Sequence, residues 1–361
     1  MEHIIEIANI EEELQKLWRS QVFGNQLKAG LFNLVIYSHE ARRTEYLKEM
    51  IRNFILKFPC RIIFIDHKKE AHPEQIKVSV SDRLKGADDT VAYCDQIYIE
   101  VTSAFIHRVP YIILPHFIPD LPIYLLWGQD PVYEHEILPE IEEYAVRLIY
   151  DSECNHNLKI FSTKILEKMR KSNLEFMDVS WGLITGWRDA LAVCYDSEEQ
   201  VIVLHSADTI QITYNAVLED KIFHAERQAI YFQAWIASEM EWTFVETRKE
   251  NDRNIISYNN GEKNITVTLI PSHHKDLPVG QLVSVEILSD VEEISLKIQD
   301  SNPSRIIVTA STKDRCDLPF VITVADSRRG TGIMKELFFQ RPSPRYKKML
   351  TYLSHIDFDV Y

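Results

Sequence analysis

The sequence predicts an α/β N-terminal domain with a mainly parallel sheet over residues 1–173, followed by an α+β domain with an antiparallel meander over residues 174–361. Three observations carry this expectation. Runs such as Phe32–Tyr37 and Arg61–Asp66 are apolar without alternation, as strands buried on both faces should be. Segments with helical spacing separate those runs, which is the pattern of β-α-β units. Beyond Trp242 the chain changes to short alternating strands divided by turn signals.

Taken in order, Ile10–Ser20 reads as an amphipathic helix, and Phe32–Tyr37 as the first buried strand. Ser38 is placed to cap a helix in which Leu47, Met50, Ile51, Phe54 and Ile55 recur at helical spacing. Pro59 ends it, and Arg61–Asp66 is the next strand. Strands at Lys77–Val80 and Gln96–Val101 follow, then a helix from Ser103 toward Pro115. Ile123–Trp127 and Val146–Tyr150 complete the sheet, with the acidic segment Glu134–Tyr144 between them. In LPHFIPDLPIYLLWGQDP, Pro119 and Pro122 bracket a tight loop that delivers Ile123–Trp127 into a central strand, because proline is tolerated where a strand begins.

A charged helix, Leu158–Lys171, leads to the second domain. There Ile184, Trp187, Leu191 and Cys194 form a helical stripe, and Ile222–Met240 reads as a long helix. Six strands follow within Trp242–Ala310, with Asn260-Gly261 as a hairpin turn. Helices return at Ile333–Phe339 and Ser343–His355.

Composition limits the function. A chain of 361 residues that is 45% hydrophobic can bury a large core. Its formal charge of −14 opposes binding to a nucleic-acid backbone. Repeated prolines exclude a spanning helix in the most apolar run, and the first residues do not read as a signal peptide, so a cytoplasmic location with no membrane contact is expected. Cys60, Cys94, Cys154, Cys194 and Cys316 lie far apart and read as reduced thiols, with no zinc pattern.

Fingerprints of a cofactor enzyme are missing. The turn after the first strand reads YSHEARR, without the glycines of a dinucleotide or phosphate cradle, and neither a nucleophile elbow nor a zinc-protease motif occurs. No catalytic, cofactor-binding or metal residue is therefore assigned. Ser38, His39, Arg42 and Arg43 could hold an anion, but a solvated first turn is the simpler reading. Ser327–Gly332 could wrap a phosphate, yet reads as a basic turn. His273-His274 and Glu134-His135-Glu136 have metal-ligand residue types without a third, distant ligand. Arg341–Lys348 reads as a turn into the last helix.

More suggestive are Trp127 and Asp130 after one strand and Asp151 after another, because loops at strand carboxyl ends line the crevice of such sheets. Trp181, Trp187 and Arg188 form a second aromatic group. Core packing is the competing reading for all three tryptophans.

The segments FPCRIIFI, YCDQIYIEV, LPHFIPDLPIYLLWGQDP, RLIYDS, DVSWGLITGWRDALA and IYFQAWIASEMEW, in that order, resemble the OpcA-type glucose-6-phosphate dehydrogenase assembly proteins from about Leu31 to Arg248. The resemblance implies a non-enzymatic cytosolic factor that binds glucose-6-phosphate dehydrogenase and favours its active oligomer. Trp127, Asp130, Asp151, Trp181, Trp187 and Arg188 are the residues expected at that partner face. Many relatives carry two tryptophans where this chain has Leu126-Trp127, and the scattered cysteines give no dithiol on which to expect redox control. The alternatives are a sugar-phosphate-binding or hydrolytic enzyme using Ser38, His39 and Asp151, and a scaffold for another protein.

Overall fold

The structure is a computed structural model that describes residues 3–19, 30–55, 58–69, 75–85, 91–133, 135–217, 224–324 and 331–356. Two compact units divide the chain: Met1–Cys154 with Lys171–Met177, and Asn155–Arg170 with Asp178–Tyr361.

The first unit is built on strands β1 (His3–Ile5), β2 (Asn33–Ser38), β3 (Arg61–Lys68), β4 (Ile76–Lys85), β5 (Val91–Thr102), β6 (Ile123–Gly128), β7 (Arg147–Tyr150) and β8 (Glu175–Asp178). They lie in the order β1-β4-β5-β3-β2-β6-β7-β8. β5, β3, β2, β6 and β7 run parallel, and β4 and β1 extend the sheet antiparallel. Every residue of β2 is buried, as the unalternating run requires. Helix α1 spans Ile10–Arg19, and α2, Ala41–Ile55, follows β2.

Ser38 does not cap α2. It is the last residue of β2 and fully buried, and its Oγ accepts a 2.8 Å bond from the Thr44 hydroxyl. The helix expected from Ser103 to Pro115 is broken into a 3-10 segment (Ser103–Arg108), a short α3 (Val109–Ile113) and a 3-10 turn (Leu114–His116). Pro110 and Pro115 lack the N–H groups a continuous helix needs. The loop into β6 is clamped by Asn33, whose Nδ2 donates to the Ile118 and Leu121 carbonyls (3.1 and 3.2 Å) while its Oδ1 accepts from Ile118 N–H (2.8 Å). The acidic segment contains α4, Leu138–Glu142.

Helix α5 (Leu158–Lys171) precedes β8, and the expected stripe of Ile184, Trp187, Leu191 and Cys194 runs along α7 (Thr185–Cys194) from its N-cap Ile184, after a short α6 (Val179–Leu183). A further helix, α8 (Glu198–His205), opens with a complete capping box, Ser197 paired with Gln200. The second sheet contains β9 (Ala207–Asn215), then, after α9 (Arg227–Glu239), β10 (Thr243–Glu250), β11 (Arg253–Asn259), β12 (Asn264–Ser272), β13 (Leu282–Ser289), β14 (Glu292–Gln299), β15 (Asn302–Thr312) and β16 (Phe320–Thr323). Its order is β10-β11-β12-β9-β13-β14-β15-β16. The antiparallel meander is therefore interrupted by β9, which pairs parallel with β12 and antiparallel with β13.

Gly261 takes φ +95° in the predicted turn between β11 and β12, where Asn260 Oδ1 accepts two backbone bonds. The helix expected over Ile222–Met240 begins at Arg227, and every residue from Arg227 to Ser238 is buried. Its apolar and aromatic residues pack against β9, β12 and the terminal helix α11 (Pro344–Leu353), which follows α10 (Thr331–Met334) and a π-helical turn, Lys335–Phe339.

Candidate functional site

The carboxyl ends of β2, β3, β6 and β7 converge in the first unit, and their register sets Tyr37, Trp127 and Tyr150 in one row across the sheet. The Tyr37 and Trp127 rings stack at 4.3 Å with 12° between planes. His135 meets both edge-on, at 4.4 and 4.9 Å. The Tyr37 hydroxyl is bonded to His67 Nδ1 at 2.8 Å, and His67 Nε2 lies 3.1 Å from Ser103 Oγ. His39 sits 6.1 Å from the Tyr37 ring.

Burial governs the charge state here. It pushes the His39 and His67 imidazoles down to about 4, and His135 down to about 3, with the Lys69 charge adding to the effect on each. Asp66 acts against this at His67, and the Gly128 carbonyl acts against it at His39. Burial also raises the Tyr37 hydroxyl well above its ordinary value. Near neutral pH the cluster is thus three uncharged imidazoles around two stacked rings.

Arg42 is exposed, whereas Arg43 turns inward and is fully buried. Arg43 Nε and Nη2 both donate to Asp151 Oδ2, at 2.9 and 2.6 Å, and the guanidinium lies 4.0 Å from the Tyr46 ring centroid. Cys154 Sγ adds a 3.4 Å contact to the same carboxylate oxygen. Asp130, 7% exposed, folds back to accept from Val132 N–H. Sequence spacing gives no sign of the Arg43–Asp151 pair, and His39, His67 and His135 come from three separate places, the residue after β2, the end of β3 and the loop after β6.

Trp181, Trp187 and Arg188 belong to the second unit. Asp178 Oδ1 caps α6 by accepting from Ser180 and Trp181 N–H, and its Oδ2 accepts from Tyr231. Trp181 Nε1 donates to Glu336 at 2.9 Å, while the Arg188 guanidinium stacks 3.5 Å from the Trp181 ring centroid and 3.5 Å from the same Glu336 oxygen. Trp187 packs edge-on to Phe232. Trp127, Trp181 and Trp187 are 1, 0 and 2% exposed, so all three indoles are packed side chains and not surface contacts.

The remaining motifs contribute little to a site. Ser327–Gly330 and Glu134 lie outside the described residues. The loop at His273-His274 is held by Asn215, which bonds the His274 N–H and carbonyl. No group of three or more potential metal ligands occurs among the described residues. Arg345 and Lys348 lie within ion-pair distance of Glu239 and Glu241. None of the described helices is long and apolar enough to cross a membrane.

The fold resembles that of KijD10, a 3-ketoreductase from Actinomadura kijaniata in complex with NADP and TDP-benzene, at TM-score 0.53 and 9% identity, covering 89% of this chain and 94% of that one. The strand-end residues do not fit a dinucleotide. Between Ser38 and Arg43 there is no glycine for the close backbone approach that a pyrophosphate needs, and Glu40 places a carboxylate before α2. The close approach at Gly128 is already occupied, because a Cβ there would lie 2.8 Å from the Tyr37 carbonyl oxygen.

Relatives in sequence include the OpcA proteins of Nostoc punctiforme and Synechocystis sp., named for the OxPP cycle. Each is 26% identical, over 256 and 187 residues, or 69% and 51% of this chain. The matched segments span 51% and 38% of those proteins, about half of their length or less. Residues 55–167 match the N-terminal domain, and residues 174–350 the C-terminal domain, of a family described as glucose-6-phosphate dehydrogenase subunit. With both domains matched in order, the chain belongs to the OpcA family of glucose-6-phosphate dehydrogenase assembly proteins.

Proposed function

We propose that this protein is a non-enzymatic, cytoplasmic assembly factor that binds glucose-6-phosphate dehydrogenase and activates it by favouring its active oligomer in the oxidative pentose phosphate pathway. The observation that carries this reading is the match of both dehydrogenase-subunit domains along the chain. The strand-end geometry supports it, since the place where an α/β enzyme of this fold would cradle a dinucleotide is filled by Tyr37, Trp127 and His135.

Activation is then a linkage. A factor that binds the active oligomer tenfold better than the inactive form shifts their ratio tenfold, about 1.4 kcal/mol. Because Trp127, Asp130, Asp151, Trp181, Trp187 and Arg188 are packed, their proposed part in partner binding is to hold the loops that meet the dehydrogenase.

The test is NADPH formation from glucose 6-phosphate by the cognate dehydrogenase, with this protein titrated in and the mass followed by light scattering. A saturable rise in rate that tracks a mass increase is expected. No change in either signal overturns the reading, and turnover of a sugar phosphate without the dehydrogenase would replace it with an enzyme.

A further inference from the structure

Away from the strand ends, a cavity of about 90 Å³ opens between α2 and the strands β3, β5 and β4. Register explains its floor. Ile62 and Phe64 of β3 stand beside Gln96 and Tyr98 of β5, so alternate residues of neighbouring strands project from one face. Ile62 and Phe64 are 3 and 6% exposed, and the Phe64 and Tyr98 rings stack at 5.5 Å. The floor is therefore partly aromatic, with Ile62 and Phe64 set beside the polar groups of Gln96 and Tyr98.

The rim is cationic. Lys48 and Arg52 lie one helical turn apart on α2 and both line the cavity. Lys48 Nζ is 4.8 Å from the Tyr98 ring centroid and 5.7 Å from that of Phe64, and its carboxylate partner, Glu45, is an exposed side chain at 3.2 Å. Arg52 is exposed and makes no ion pair among the described residues. In a chain of net charge −14, Arg52 beside the Glu45-paired Lys48 leaves one cation in excess at this rim, which favours an anion there. A cavity of about 90 Å³ is too small to enclose a nucleotide, and, being open on one side, leaves room only for a small ligand.

We propose that this cleft binds a small planar carboxylate, with its acid group at Lys48 and Arg52 and its ring against Ile62 and Phe64. The proposal is independent of the assembly reading. It is tested with benzoate as the probe and acetate as the same charge without a ring, each titrated into the full-length protein and followed by saturation-transfer NMR.

Saturable benzoate binding, weakened about tenfold or more by the combined Lys48→Gln and Arg52→Gln substitutions, is expected. Acetate should not saturate over the same range. Benzoate that fails to saturate, binds the double variant equally well, or binds no better than acetate would overturn it. If the double variant melts earlier than the parent, Arg52→Gln alone serves, because its side chain is exposed. If the double variant instead loses dehydrogenase binding while the parent ignores benzoate, the cleft anchors a protein partner and the small-ligand proposal falls.

Discussion

Arg43 and Asp151, 108 positions apart in the chain, form an ion pair in which neither side chain is exposed. The pair ties the first turn of α2 to the residue after β7, across the ends of β2 and β6. Removing one partner leaves the other charged in the interior, whereas removing both leaves only an apolar repacking problem. Asp151→Asn should therefore destabilise the protein by about 3–5 kcal/mol in urea unfolding, and Arg43→Met with Asp151→Leu by clearly less. Equal losses in the two proteins would show that the pair is not the source of the effect.

The three neutral imidazoles make acid sensitivity predictable in sign. Their folded values, about 4, 4 and 3, lie below the ordinary 6.5, so between roughly pH 6.5 and 4 the unfolded chain binds more protons than the folded one. Stability from this cluster is complete above about 6.5 and declines as pH falls through that window. His135→Phe keeps an edge-on ring against Tyr37 and Trp127 but cannot be protonated. Its melting temperature should fall less steeply than the parent's between pH 6.5 and 4.5, and parallel curves would remove His135 from the explanation.

Sequence carries some of these relationships and conceals others. Periodicity placed β2, β3, β6 and β7, because strands covered on both faces show as uninterrupted apolar runs. It also placed α7, whose stripe of Trp187, Leu191 and Cys194 is buried. Strand β9 is not marked by spacing alone although Ile210, Ile212 and Tyr214 alternate inward, and its parallel pairing with β12 is hidden with it. Local spacing cannot reveal that Arg43 meets Asp151 or that Glu336 meets Trp181, since topology alone brings such distant residues together. The composition of the strand-end loops was legible. Their convergence on one stack of rings was not.

Trp181 offers a separation of packing from partner binding. Its Nε1 donates to Glu336, 4% exposed, which also lies 3.5 Å from Arg188. Trp181→Phe leaves that carboxylate with one donor fewer and should cost about 1–3 kcal/mol in unfolding free energy. If activation of the dehydrogenase then survives below the lowered melting temperature, the indole acts through the fold. Lost activation with an unchanged melt would mean that the buried indole shapes the partner-binding loops without contributing to stability.

The loop that feeds β6 depends on one amide. Asn33 makes three hydrogen bonds to the Ile118–Leu121 turn, within which Asp120 takes φ 64°, a left-handed backbone that a side chain of this kind tolerates at a cost. Asn33→Ala abandons two carbonyls and one N–H and should lower stability by about 2–4 kcal/mol. Asp120→Gly relieves the backbone while enlarging the freedom of the unfolded chain, so its effect should stay within about 1 kcal/mol of the parent. Chemical denaturation of the two variants decides the matter. A large loss in Asp120→Gly with little in Asn33→Ala would mean that the aspartate side chain, and not the Asn33 clamp, sets the entry of Ile123–Gly128 into the sheet.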